Sequence, residues 1–162
     1  MTSPRVFSIQ LSPGGVPKLA VRNARVEYGG IAGDGVNHPK VHGGPDRAVC
    51  LFPLEHILAL QAEGHPIFPG SIGENLTLAG LDWASLEPGS ILRVGDNVVL
   101  ELTKPVDPCK TIAASFADGN FRRIDPARRS DWSRFYARVV VPGDIVVGDS
   151  VALEATSPLS AA

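Results

Sequence analysis

Glycine and proline punctuate this chain from end to end, and that punctuation limits what it can fold into. Seventeen glycines and 14 prolines are spread among 162 residues, between apolar runs that are all short. Both residue types mark turns, so the spacing predicts many reversals and short strands. The length suits one domain, residues 1–162, with a sizeable core. The small, polar stretch from Ala155 to Ala162 reads as a frayed tail.

Taken in order, Val6 to Leu11 reads as a first strand and Leu19 to Tyr28 as a second, joined by the turn at 12–15. Residues 29–46 form a glycine-rich stretch with His, Lys and Asp and no apolar period, read as a functional loop. Arg47 to Phe52 reads as a buried strand that makes Cys50 a core residue. Pro53 then opens a helix to Glu63, with Leu54, Ile57 and Leu58 on one face. His56 and His65 read as surface residues. Residues 88–101 and 142–154 echo each other as turn, strand, Gly-Asp turn, strand, and predict two similar corners of one closed or nearly closed sheet. The arginine-rich run from Phe121 to Ser133 reads as a solvated loop. From Arg134 to Val141 the period is two, which puts Arg134, Tyr136 and Arg138 on one face. That face is either an anion clamp or a solvated face with charge pairs.

The stretch from Leu102 to Ile112 carries the strongest chemical signal. A strand from Val98 to Thr103 runs into it and a helical pattern to about Ala117 leaves it. Asp107 has the chemistry of a helix cap, and Pro108 suits the first helical position. Cys109 would then sit in the first turn, at the positive end of the helix, with Lys104 and Lys110 nearby. Such surroundings favour the thiolate, the form that binds metals or attacks. The competing reading makes Cys109 a small buried residue after a turn.

The net charge of −2 gives no support to nucleic-acid or membrane-surface binding. There is no apolar leader and no run of about 18 apolar residues, so neither export nor a membrane span is expected. With two cysteines and no export signal, the chain is expected in the cytoplasm with its thiols reduced. Phosphate-loop, dinucleotide, zinc-protease and hydrolase motifs are absent. Zinc on His38, His42 and Cys109 is disfavoured, because the histidines lie in a glycine-rich loop and not on one helical face. A better combination is one thiolate with several anion-binding groups: Lys40, His42, Arg47, Asn75, Arg134 and Arg138. It suits a cofactor carrying both a metal and a phosphate.

Five motifs occur together and in order: residues 42–49 (HGGPDRAV), 69–76 (PGSIGENL), 108–112 (PCKTI), 134–139 (RFYARV) and 148–151 (GDSV). In this the chain resembles the MOSC domain family, over roughly residues 5–153. The resemblance implies a mainly β, barrel-like fold with a few short helices. It implies a molybdenum cofactor (molybdopterin), with Cys109 matching the family's cysteine that ligates the metal or carries sulfur. Arg47 and Asn75 match positions near the cofactor, and the motifs add Glu74 and Thr111 to the expected binding set. It also implies reduction of N-hydroxylated small molecules, with electrons from a separate donor protein. The alternative is a non-redox sulfur carrier or cofactor-transfer module, served by a sulfur donor through a persulfide on Cys109. One departure stands out: many members have an arginine shortly before the Pro-Cys pair, where this chain has Val106 and Asp107.

Overall fold

Residues 3–35 and 44–154 are described by the computed structural model. Among them the strands are β1 (Arg5–Leu11), β2 (Leu19–Val21), β3 (Asn23–Glu27), β4 (Gly30–Ile31), β5 (Val49–Pro53), β6 (Leu76–Ala79), β7 (Ile91–Val94), β8 (Val98–Pro105), β9 (Phe135–Val141), β10 (Gly143–Val146) and β11 (Val151–Glu154). They form an eight-stranded sheet in the order β11-β7-β8-β9-β5-β6-β1-β2 and a three-stranded sheet in the order β10-β3-β4. The fold is mainly β, as expected. The expected barrel is not found: neither sheet closes on itself, and β1 meets the chain before β11 through an isolated bridge between Arg5 and Ser150.

Local chemistry explains where this departs from simple patterning. A register shift between Val6 and Ser8 in β1 turns both Val6 and Ile9 into the core, which strict alternation would not allow. The expected strand Leu19–Tyr28 is two strands, because the chain changes sheets at Arg22: β2 pairs with β1 and β3 with β10. The echoing segments part in the same way. Residues 88–101 make the β7–β8 hairpin, whereas β10 joins the small sheet and β11 pairs with β7.

β5 is buried at every residue, lying between β6, to which it runs parallel, and β9. One core cluster, including Val6, Ile9, Leu51, Leu76, Leu100 and Ala137, lies on the main sheet. A second gathers Phe52, Ile67, Ile72, Ile112, Phe116 and Ile124 around the one α-helix among the described residues, α1 (Leu54–Ala62). Its buried face is Ile57 and Leu60, and Leu58 is exposed. The sequence 54–62 is apolar nearly all round, so spacing alone could not pick the face.

The arginine-rich segment is not a plain solvated loop. Trp132 stacks on His56 with ring centroids 4.1 Å apart, and the Arg123 guanidinium lies 4.2 Å from the Trp132 ring. Arg123 also pairs with Glu63 at 2.7 Å. His56 accordingly meets the Asp131 carbonyl at 2.6 Å, and the His65 ring accepts the Ala117 N–H at 3.1 Å. Both histidines are structural partners and not free surface residues. No helix among the described residues is long and apolar enough to cross a membrane.

Candidate functional site

β8 ends at Pro105, where the Val106 N–H donates to the Arg134 carbonyl and ties the exit of β8 to the entry of β9. Cys109 follows in extended backbone (φ −138°, ψ 172°), and a 3-10 turn, Lys110–Ser115, begins only after it. The expected cap is absent: no side chain caps this turn. The turn starts two residues later than expected, at Lys110, so Cys109 and not Asp107 stands at its N-cap position. The short turn supplies no helix dipole of consequence, and Lys104 and Lys110 are exposed and are not among the residues that line the cleft. The positive charge that shares a cleft with Cys109 comes from elsewhere in the chain.

That charge comes from the walls of a cleft of about 130 Å³, on which Cys109 and Thr111 lie with Arg47, Arg134, Lys18 and Asn75. Val16, Ile72, Ile112 and Tyr136 give it apolar surface. Among the described residues that line it, three basic side chains stand against one carboxylate, Asp34. Cys109 is partly exposed, and its Sγ lies 2.8 Å from the Thr111 hydroxyl oxygen. Arg134 is buried just before β9 and donates from Nη1 to the Ile72 carbonyl at 2.7 Å. Its Nε is buried with no protein partner among the described residues. The Arg47 guanidinium lies 5.7 Å from the Tyr136 ring. Burial pushes the Tyr136 phenol up to about 12.

Asn75 borders the cleft with its amide already engaged. Oδ1 accepts the Cys50 N–H at 3.0 Å, and Nδ2 donates to Asp34 Oδ2 at 2.9 Å and to the Gln10 carbonyl at 3.3 Å. Both amide hydrogens are spent inside the protein. Glu74 is not on the cleft. It is fully buried behind it, with Oε1 accepting the Gly70 N–H at 3.0 Å, and burial pushes its carboxyl up to about 7 against the pull of Arg134. Arg138 also lies elsewhere: it is exposed on the outer face of β9, paired with Glu101 at 2.7 Å. The supposed clamp face therefore splits after Tyr136, with Arg134 and Tyr136 inward and Arg138 outward. Lys40, His42 and His38 lie outside the described residues, as does the tail from Ala155.

Three cleft residues were not legible as such. Cys50 is buried as expected, with its thiol pushed up to about 11 by burial, yet it borders the cleft. Asp34 sits in the glycine-rich stretch read as functional, which is a signal that could have found it. Lys18, a lone charge between Pro17 and an apolar run, carried none.

A sequence model of the MOSC domain matches residues 38–152. The chain is 31% identical over 141 residues to the uncharacterized protein YflK of Bacillus subtilis (strain 168), covering 86% of this chain and 62% of YflK. It is 31% identical over 117 residues to a protein of Gibberella moniliformis (strain M3125 / FGSC 7600) named reductase, covering 69% of this chain and 20% of that one. The crystal structure of YiiM from Geobacillus stearothermophilus superposes with a TM-score of 0.75 at 25% identity, over 94% of this chain and 75% of that one. The chain thus spans less than two-thirds of the length of either sequence relative.

Proposed function

The chain belongs to the MOSC domain family, and we propose that its cleft holds a molybdenum cofactor of the molybdopterin type with Cys109 as the metal's protein ligand. The observation that supports this most is a partly exposed thiol on a cleft whose other charged walls are mainly cationic. The residues fit such a group. A thiolate is a soft metal ligand, and guanidinium groups match phosphate oxygens bidentately. The orphaned Nε of Arg134 costs about 1–3 kcal/mol while unpaired, which a ligand oxygen would remove. Among the described residues no three His, Cys, Asp or Glu side chains could together hold a metal ion. A cofactor of this type would bring further metal ligands of its own.

When bound, the cofactor supplies the redox chemistry, here reduction of N-hydroxylated bases or similar small molecules. The protein's part is to hold and shield. Cys109 anchors the metal, with the Thr111 hydroxyl beside its sulfur. Arg47 and Arg134 bind the anionic end, with Lys40 and His42 as further candidate contacts. Ile72, Ile112 and Tyr136 line the same cleft and would help to keep water from it. Electrons come from a separate donor protein. The exposure of Thr111 beside Cys109 also favours a second reading, in which a partner delivers sulfur to Cys109 as a persulfide.

The test is metal and pterin analysis of protein made in a cofactor-producing host. Molybdenum and pterin are expected in the wild type, and Cys109→Ala is expected to fold normally and lose the molybdenum. A wild type without either component overturns the cofactor reading. A persulfide on Cys109 after incubation with a desulfurase and free cysteine, detected by mass, would favour the carrier.

A further inference from the structure

The ion pair of Lys18 and Asp34 has no role in the function so far assigned. Nζ lies 2.7 Å from Oδ1 and 2.9 Å from Oδ2, and the side chains are only 8% and 11% exposed. Burying such a pair costs desolvation that its attraction seldom repays, and apolar residues of similar volume commonly serve stability as well. A site that nonetheless holds the pair so firmly invites a reason.

The pair is held from several sides. Asp34 accepts the Ser12 N–H on Oδ1 at 3.0 Å and the Asn75 amide on Oδ2 at 2.9 Å, in addition to the ammonium. Its lone pairs are then all engaged. Asn75 is fixed in turn by Cys50 and Gln10. The backbone of Lys18 is clamped too: its N–H donates to the Gly70 carbonyl at 2.9 Å. Position 70 needs glycine, since a Cβ there would lie 2.2 Å from the Lys18 carbonyl oxygen, at a φ of +92°. An ammonium has three N–H groups. The two contacts to Asp34 engage at most two of them, which leaves donor capacity for a further acceptor. Lys18 and Arg134, with its orphaned Nε, border the same cleft.

From this we infer that Lys18 and Arg134 form a subsite for a phosphate group, in which Asp34 and Asn75 are positioning residues that fix the Lys18 ammonium. The phosphate is either free or the anionic end of a larger ligand. As the end of a cofactor it rests on the reading above, but the subsite itself needs no metal.

The experiment titrates inorganic phosphate into the purified protein, read by calorimetry and by the rise in melting temperature, with acetate at equal ionic strength as the control. Phosphate is expected to bind and stabilise the wild type, and acetate to do so weakly. Lys18→Met should weaken phosphate binding by about tenfold or more, the worth of one charged hydrogen bond, and Lys18→Arg should keep most of it. The double variant Lys18→Met/Asp34→Asn removes both charges and keeps an acceptor for the Ser12 N–H, so it should fold and still lose phosphate. Unchanged phosphate affinity in a folded Lys18→Met or double variant overturns the inference. So does a wild type that ignores phosphate or treats acetate alike. Lys18-dependent phosphate binding by protein that never carries molybdenum supports the subsite and sinks only the cofactor reading. Molybdenum loading with no phosphate effect of Lys18→Met does the reverse.

Discussion

Asn75 matches a motif position expected to touch cofactor, yet its hydrogen bonds point inward, and substitution separates the two roles. Asn75→Ala removes three bonds. The buried Cys50 N–H is left without its acceptor, which costs about 1–3 kcal/mol. Asp34 loses one of its donors but keeps Lys18 and Ser12, so that loss is about 1 kcal/mol. The bond to Gln10, at 3.3 Å, is long and adds little. The sum is about 3 kcal/mol, or a melting temperature lower by about 6–12 °C for a domain of this size. Asn75→Asp sharpens the test. It keeps the acceptor for Cys50 but sets a second carboxylate against Asp34 where 2.9 Å now separates donor and acceptor. At neutral pH it should be less stable than the alanine variant. It should recover on acidification below about pH 5, when the pair of carboxyls shares a proton. Urea unfolding of both variants at neutral and acid pH measures this. Two variants within about 0.5 kcal/mol of wild type, the scatter of ordinary surface changes, would refute the structural role and leave Asn75 as a simple ligand contact.

The remaining predictions concern the interior. The Glu74 carboxyl sits at about 7 in the fold against an ordinary value of 4.5. Its contribution to stability is therefore complete below pH 4.5 and is lost as pH rises through 7. Glu74→Gln should flatten the fall in stability over that window in urea unfolding, and an unchanged slope would contradict it. On α1, Ile57→Ala should cost about 2–5 kcal/mol and Leu58→Ala less than about 0.5, as thermal melts would show. Iodoacetamide at about pH 8 should label Cys109 well before Cys50, whose thiol is buried and stays protonated up to about 11; peptide mass analysis with equal rates would speak against the assignment.

What the sequence revealed and what it hid divide along physical lines. β1, β5 and the β7–β8 hairpin were legible because local pattern and burial agree there. The split of Leu19–Tyr28 and the fate of β10 were not, since sheet membership is decided by partners distant in the chain. The face of α1 was hidden by apolar residues on all sides. Cys109, Arg47 and Arg134 could be nominated from chemistry and motif. Their setting could not: the charge near Cys109 comes from strands and loops remote in sequence, and not from the short turn that follows it. Arg138 shares the period of Arg134 but faces Glu101, which only the β8–β9 register shows.

Among the described residues, the cleft takes its lining from six separate stretches, 15–18, 34–35, 47–50, 72–75, 109–112 and 134–136. No excised peptide could reproduce it, and any occupant would act as a further non-covalent staple beside those that already join Lys18 to Asp34, Asp34 to Asn75 and Arg134 to Ile72. Amide exchange should then slow together at the β1–β2 connection and at the entry to β9 when a tight ligand is added.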